Sequence, residues 1–382
     1  MARIIFFGIF FTVTGLISLY IYIRGLQSIP QDSRLRNPYT VIFWIVVFSF
    51  MGSWFLENIL PVVLADLLVW VGGFWMGAML YFLLAVVFLD VLRLINHFLP
   101  FFPKMVIENY AQAKYITSAC ILGLVGILLL GGHINSVMPR VKKLDLPIAK
   151  KGQKIKNLNI VAVSDIHMGT IVGRDRVNNI VNRINSLHPD LVLLLGDILD
   201  QDVTPVFRRN LGEALRNIES LYGVYAVTGN HEHIAGVAQA CNYLAEHDIV
   251  VLRDQVVKVA DSLYLIGRED LSSGRFGAAR RKNLGELMAE VDRSYPVILM
   301  DHQPSELTQV SLQGIDLQLS GHTHGGQIWP LNYIVNSIYE LAWGYRKIGD
   351  THFYVTNGVG TWGPPIRIGS RPEIVQINLK LE

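Results

Sequence analysis

Charge is scarce in this sequence: Asp, Glu, Lys and Arg make up 17% of 382 residues, against 51% for the hydrophobic types. Soluble globular domains carry about 25% charged residues, so the composition argues against a chain that is soluble throughout. Cysteine is nearly absent. With only Cys120 and Cys241, no disulfide framework is implied and the redox compartment stays open. The net charge is only +2, and no Lys/Arg block with interleaved aromatics occurs. Both features argue against nucleic acid as a partner. There is no internal repeat and no low-complexity segment.

What charge exists is unevenly placed. The composition predicts a membrane domain of about four transmembrane helices over residues 1–132, a basic linker over 133–156 and a soluble domain over 157–382. Crossing a bilayer as helix takes roughly 20 apolar residues. Four runs qualify, near Ile4–Ile23, Tyr39–Leu60, Val62–Leu92 and Tyr115–Leu130. Pro61, Gly72, Gly73 and Gly77 are expected to bend or divide the third. The first lacks a basic leader beyond Arg3 and a small-residue cleavage pattern, so it reads as a retained span rather than a signal peptide. Tyr39, Trp44, Trp54 and Tyr115 lie near run ends, where aromatic belts form.

Glu57, Asp66 and Asp90 lie within or beside these runs. An ionisable group there is either functional or sits at a span end in the headgroup zone, and the second reading is favoured. No relay or transporter pattern connects the three. Orientation rests on loop charge. The connections after the first and third runs carry Arg24, Arg34, Arg36, Arg93, Lys104 and Lys114, which favours an extracytoplasmic soluble domain. The segment with Arg140, Lys142, Lys143, Lys150 and Lys151 argues the other way, or lies on anionic headgroups.

After the basic segment, strand and helix signals alternate. Strands are expected at Asn159–Ser164, Asp190–Leu195, Gly223–Thr228, Pro296–Met300, Asp316–Ser320 and Glu373–Leu379. A hairpin is expected at Val256–Val259 and Leu263–Gly267, and helices at Arg174–Leu187 and Ala235–His247. Interleaved strands and helices predict an α/β domain with a largely parallel sheet core.

Five of these strands end the same way, with metal-binding residue types directly after the apolar run. Asp165 and His167 follow the first, Asp197 the second, and Asn230 and His231 the third. Asp301 and His302 follow the fourth, and His322 and His324 the fifth. Ligands of open α/β sheets bind beyond the carboxyl ends of the strands, so these residues converge. Asp, Asn and His without Cys suit Mn²⁺, Fe²⁺ or Zn²⁺. Seven of them, Asp165, His167, Asp197, Asn230, His302, His322 and His324, exceed the needs of one ion and fit two ions about 4 Å apart sharing a carboxylate. Such a pair generates hydroxide from water at neutral pH and binds phosphoryl oxygens, which suits phosphate-ester hydrolysis.

The ordered blocks Asp165-Ile-His167, Gly196-Asp197-Ile-Leu-Asp200, Gly229-Asn230-His231-Glu232, His302 and Gly321-His322-Thr-His324 resemble the calcineurin-like metallophosphoesterases. The likeness covers roughly Ile155–Glu382. The longer Gly321–Gln327 block, with Gly358–Arg367 and Pro372-Glu373, looks like a subgroup of membrane-associated bacterial enzymes and transmembrane proteins with a metallophosphoesterase domain. The resemblance implies two mixed sheets flanked by helices, behind an N-terminal α-helical transmembrane bundle. It implies that Asp165, His167 and His324 bind one metal and that Asn230, His302 and His322 bind the other. Asp197 would bridge them, His231 would protonate the leaving oxygen, and Asp200 would orient His231. Arg367 and Arg371 are read equally as phosphate clamps or surface residues. Glu232 and His233 support the ligands or are solvated. His188, His247 and His352 read as surface or packing residues.

The expected activity is metal-dependent hydrolysis of a phosphate ester or pyrophosphate, in a multi-pass protein of a bacterial inner or other cell membrane. Membrane lipids are expected partners. A lipid-linked substrate is suggested by family members that act on nucleotide-linked diacylglucosamine. The alternative is a membrane sensor or scaffold with a vestigial phosphoesterase domain, which predicts a decayed ligand set.

Overall fold

Short, continuous aliphatic runs set the sheets, because a strand covered on both faces has no polar alternation. The computed structural model describes residues 2–56, 59–150, 152, 154–276 and 280–381. It divides into two units, one comprising Met1–His133 with Gly363–Ile366, the other Ile134–Trp362 with Arg367–Glu382.

The strands of the second unit are β1 (Arg140–Ile148), β2 (Asn157–Val163), β3 (Leu191–Leu194), β4 (Val224–Ala226), β5 (Val250–Val251) and β6 (Gln255–Val259). They continue with β7 (Leu263–Gly267), β8 (Val297–Met300), β9 (Leu317–Ser320), β10 (Gly344–Ile348), β11 (Thr351–Val355) and β12 (Glu373–Leu381). They form two six-stranded sheets, ordered β1-β12-β2-β3-β4-β5 and β10-β11-β9-β8-β7-β6. In the first, β2 through β5 are parallel, β12 runs antiparallel to β2, and β1 is parallel to β12. In the second, β11, β9, β8 and β7 are parallel, and the edge strands β10 and β6 are antiparallel to their neighbours.

Alternate residues along each strand serve two different cores. Ile160, Ala162, Leu191 and Leu193 meet Leu265, Ile298, Met300, Leu317 and Leu319 in the layer between the sheets. Val161, Val163, Val192 and Leu194 face outward onto Val177, Ile180, Val181 and Ile184 of the Arg174–Asn185 helix. Ile266, Val297 and Leu299 pack on Leu284, Leu287, Leu307 and Val310 on the other side. Two mixed sheets flanked by helices result, as the resemblance implied.

The segment read as a basic linker is a strand over Arg140–Ile148, in register with Glu373–Leu381. Its lysines are exposed while Leu146 and Ile148 are buried. A fragment starting near Gly152 would therefore strip β12 of a neighbour and leave a bare sheet edge.

The other unit is helical. Among the described residues, Gly8–Leu26, Val62–Phe98 and Tyr110–Ser136 are long and apolar enough to cross a membrane. The second expected span falls in the Arg36–Leu56 helix. Glu57 and the side chain of Trp54 lie outside the described residues. The third run is neither bent into two helices nor divided: Val62–Phe98 is one helix. Its glycines serve contact instead, since a Cβ on Gly72 would come within 2.5 Å of the Phe50 Cα. Small residues let membrane helices approach this closely. Asp90 is paired, 2.6 Å from Arg24 Nη2 and 2.8 Å from Arg93 Nη1.

Candidate metal centre

The carboxyl ends of β2, β3, β4, β8 and β9 deliver the expected residues. Asp165, His167 and His324 offer ligand atoms within 4.8 Å of one another, and so do Asp197, His302 and His322. His324 Nε2 lies 3.1 Å from His167 Nε2 and 3.4 Å from Asp165 Oδ1. Asp197 Oδ2 faces both groups, 3.2 Å from His302 Nε2 and 3.9 Å from His167 Nε2. His231 and Asp200 form a third cluster with His167. There His231 Nδ1 is 3.0 Å from Asp200 Oδ1. Asn230 opens the short helix Asn230–Ala235, whose N-cap Gly229 lies against Asp197.

The loops that carry these groups are strained. Asp165, His167, Asp197, His322 and His324 all have left-handed backbones, with φ of 54°, 52°, 50°, 70° and 50°. Non-glycine residues hold such angles only where surroundings over-determine them, commonly at functional sites. Two glycines make the crowding possible. A Cβ on Gly229 would strike Asp197 Oδ1, and one on Gly358 (φ 72°) would lie 2.5 Å from the Asp165 Cβ.

The electrostatics suit a cation. Burial works against ionising Asp197, yet His302 and His231 hold its carboxyl well below the usual range. Burial likewise opposes Asp200, and His167 and His231, 3.7 and 3.0 Å from its Oδ1, keep it low. Burial and the Arg367 charge hold His324 neutral, and burial together with His302 lowers His322. Burial would lower His231 too, but Asp197 and Asp200 prevail and raise it to about 9. His302 Nδ1 meets the Leu195 carbonyl at 2.7 Å. Burial opposes charging His302, yet Asp197 beside Nε2 raises its pKa well above the usual value; a cation bound at Nε2 would take the place of that proton, with Nδ1 donating to the carbonyl as metal-binding histidines usually do.

The fit to metal ions rests on atoms left unpaired. Asn230 Oδ1, His302 Nε2 and His322 Nδ1 are buried without a hydrogen-bond partner. Buried polar atoms are almost always satisfied, and a bound cation would satisfy these three atoms of ligand type in one site. An oxygen and two imidazole nitrogens beside a carboxylate are donors for a borderline divalent cation.

Several sequence readings change. Asp301 does not join the ligands; it pairs with Arg268 at 3.3 Å and with Arg281. Arg367 is no phosphate clamp. It is buried, and its guanidinium is spent on the carbonyls of Asn357, Gly358, Gly360 and His324 and on His324 Nδ1. His188 is exposed, while His247 and His352 are buried packing residues. Glu269, not singled out in the sequence, accepts from Thr228 at 2.6 Å, from Arg253 at 2.6 Å, and meets His233 at 2.9 Å. It lies just past β7, the same strand-end position that marked the other ligands.

Glu232 is neither solvated nor peripheral. Its carboxylate is fully buried and accepts from four backbone N–H groups. Those are Asp197 at 3.0 Å, Ile198 at 2.7 Å, Leu199 at 2.9 Å and Gly229 at 2.7 Å. It thus fixes the loop bearing Asp197 to the loop bearing Asn230. Leaving a buried donor unpaired costs about 1–3 kcal/mol. Glu232→Ala is therefore expected to destabilise the domain by at least ~3 kcal/mol and to lower metal content, read by denaturant midpoint and metal analysis. Unchanged midpoint and metal content would mean that water replaces the carboxylate.

Residues 158–326 match the family model described as calcineurin-like phosphoesterase. An uncharacterized metallophosphoesterase of Helicobacter pylori is 31% identical over 264 residues, covering 68% of this chain and 68% of the relative. One of Aquifex aeolicus is 32% identical, covering 65% of this chain and 94% of the relative. A zebrafish (Danio rerio) protein named as a transmembrane protein with metallophosphoesterase domain is 33% identical, covering 72% of this chain and 65% of the relative.

Proposed function

We propose that this chain, which belongs to the calcineurin-like phosphoesterase family and is a membrane-associated phosphoester hydrolase, acts on a lipid-linked phosphate ester or pyrophosphate. In this reading Asp165, His167 and His324 hold one divalent ion, Asn230, His302 and His322 hold a second, and Asp197 is shared. Mn²⁺, Fe²⁺ and Zn²⁺ all suit that donor set. Bound there, the ions would supply Lewis acidity towards phosphoryl oxygens and an activated water.

The chain's own groups do the rest. Asp200 holds His231 Nδ1, which leaves Nε2 to carry a proton to the departing ester oxygen. Buried Asp197 and Asp165 supply fixed negative charge that selects a cation-bound substrate geometry. The observation that carries the metal assignment is the trio of unpaired atoms on Asn230, His302 and His322. A vestigial sensor or scaffold domain would have lost ligands, and none of the nine motif positions is substituted.

The lipid-linked substrate is supported by the helical unit and by the basic residues around β1, each of which contributes about 1 kcal/mol near an anionic surface. The multi-pass arrangement of about four helices over 1–132, with the catalytic unit outside the cytoplasm, belongs to the same reading. The test uses full-length protein in nanodiscs with Mn²⁺. It compares a soluble monoester, a soluble diester, an acyl-lipid pyrophosphate and the water-soluble headgroup of that lipid. The expected result is a higher kcat/KM for the lipid form than for its headgroup. Equal values would remove the lipid assignment, and no turnover of any ester at full metal occupancy would favour the vestigial reading.

A further inference from the structure

The helix Leu331–Ile338 places Leu331, Ile334, Val335 and Ile338 at i, i+3, i+4 and i+7, the stripe that normally faces a core. The Arg174–Asn185 helix has the same design and buries Val177, Ile180, Val181 and Ile184. Leu331–Ile338 buries nothing. Ile334 is 57% exposed and Ile338 67%, while the opposite face carries Asn332, Tyr333, Asn336 and Ser337. Trp329, just before the helix, and Trp362, bonded to Gln327, are also exposed. Exposed apolar surface of this kind marks a docking face.

The surface adjoins the metal centre. The backbone of Asn332 lies against Gly326, two residues after His324. Tyr339, which ends the helix, stands edge-on to His322 with ring centroids 6.1 Å apart. Trp362 stands edge-on to His231 at 6.0 Å and is held by two hydrogen bonds to the Gln327 side chain.

We infer that Leu331–Ile338, flanked by these aromatics, is a membrane-interface helix whose apolar stripe lies in the headgroup–acyl boundary of a lipid bilayer. Three observations select lipid as the occupant. The chain carries its own membrane-length helices, and the last ends at Ser136, with three residues between it and β1. A connection of that length reaches at most ~14 Å. The four residues after Trp362 belong to the helical unit, where Pro365 accepts from His133 and Ile366 lies against Gly77. The composition is that of an interface, with Trp329 just before the helix, Tyr333 within it and no acidic residue in the helix itself. The inference shares membrane attachment with the proposed function but does not depend on the substrate.

The test uses full-length protein with Cys120 and Cys241 replaced, carrying a nitrobenzoxadiazole label at Ile338→Cys or, on the polar face, at Ser337→Cys. Each is reconstituted into phosphatidylcholine–phosphatidylglycerol vesicles. The label at 338 is expected to shift to the blue and to be quenched by acyl-brominated lipid. The label at 337 should be quenched by aqueous iodide instead. Turnover of a soluble ester by both proteins reports that they are folded. Equal iodide quenching at both positions would overturn the inference. So would a label at 338 shielded from iodide and bromolipid alike, with the unlabelled Ile338→Cys variant cross-linking between chains, because a second copy would then cover the helix.

Discussion

Asp197→Asn is expected to lower occupancy at both metal positions together and to abolish turnover. Asp197 Oδ2 faces His167 and His302 at once, at 3.9 and 3.2 Å. Its other oxygen accepts from the His231 backbone N–H at 2.8 Å, so the side chain cannot rotate to offer a substitute. Asparagine keeps the shape and removes the charge that balances two cations. The loss should exceed the roughly 10–100-fold typical of a group that only supports a ligand. Asp200→Asn is the internal comparison: Asp200 lies 3.0 Å from His231 and 3.7 Å from His167, so its loss should weaken metal binding by no more than the roughly 10–100-fold of a supporting group. Metal analysis finding two ions per chain in Asp197→Asn would remove the bridging assignment.

That such a site could be read from sequence follows from how the strands are buried. β2, β3, β8 and β9 are covered on both faces, so each shows as an unbroken aliphatic run with a sharp polar end. The candidate ligands sit at those ends, and the left-handed backbone conformation of Asp165, His167, Asp197, His322 and His324 is local to them. β1 was not legible for the opposite reason. Its pattern Leu144, Leu146, Ile148 has the period of a strand, but Lys142, Lys143 and Asp145 made the segment look like a charged tether. β11 was missed because Thr351–Val355, though buried throughout, reads Thr-His-Phe-Tyr-Val, and its polar first half hides the apolar run.

Partners distant in sequence were the other blind spot. Glu232 was visible as part of a motif, but three of its four donors come from residues 197–199. Only the pairing of β3 with β4 brings those loops together. Arg367 misled for a similar reason. An arginine in a glycine-rich tail resembles an anion binder, and only the fold reveals that carbonyl oxygens surround it. The Leu331–Ile338 helix shows the converse: its stripe predicts burial, and the fold alone shows that this unit supplies no core to receive it.

His231→Ala is expected to reduce turnover by roughly 10²–10⁴ while leaving metal content unchanged. Nothing in the geometry makes His231 a ligand of either metal group; its Nδ1 is engaged by Asp200 at 3.0 Å, and its ring is 4.5 Å from that of His167. The carboxylates of Asp197 and Asp200 overcome burial and raise its pKa to about 9, so the imidazole is protonated at neutral pH. A raised value means that the donor form is present below it and is lost as pH rises through it. Divalent ions nearby repel that proton, so the alkaline limb of activity should fall at or below about pH 9 and disappear in His231→Ala. The decisive comparison is between leaving groups. A nitrophenolate needs little protonation, whereas an alkoxide needs a full proton, so the alanine variant should lose far more on an alkyl ester. Equal losses on both would mean that His231 only shapes the site, and the proton would have to come from elsewhere.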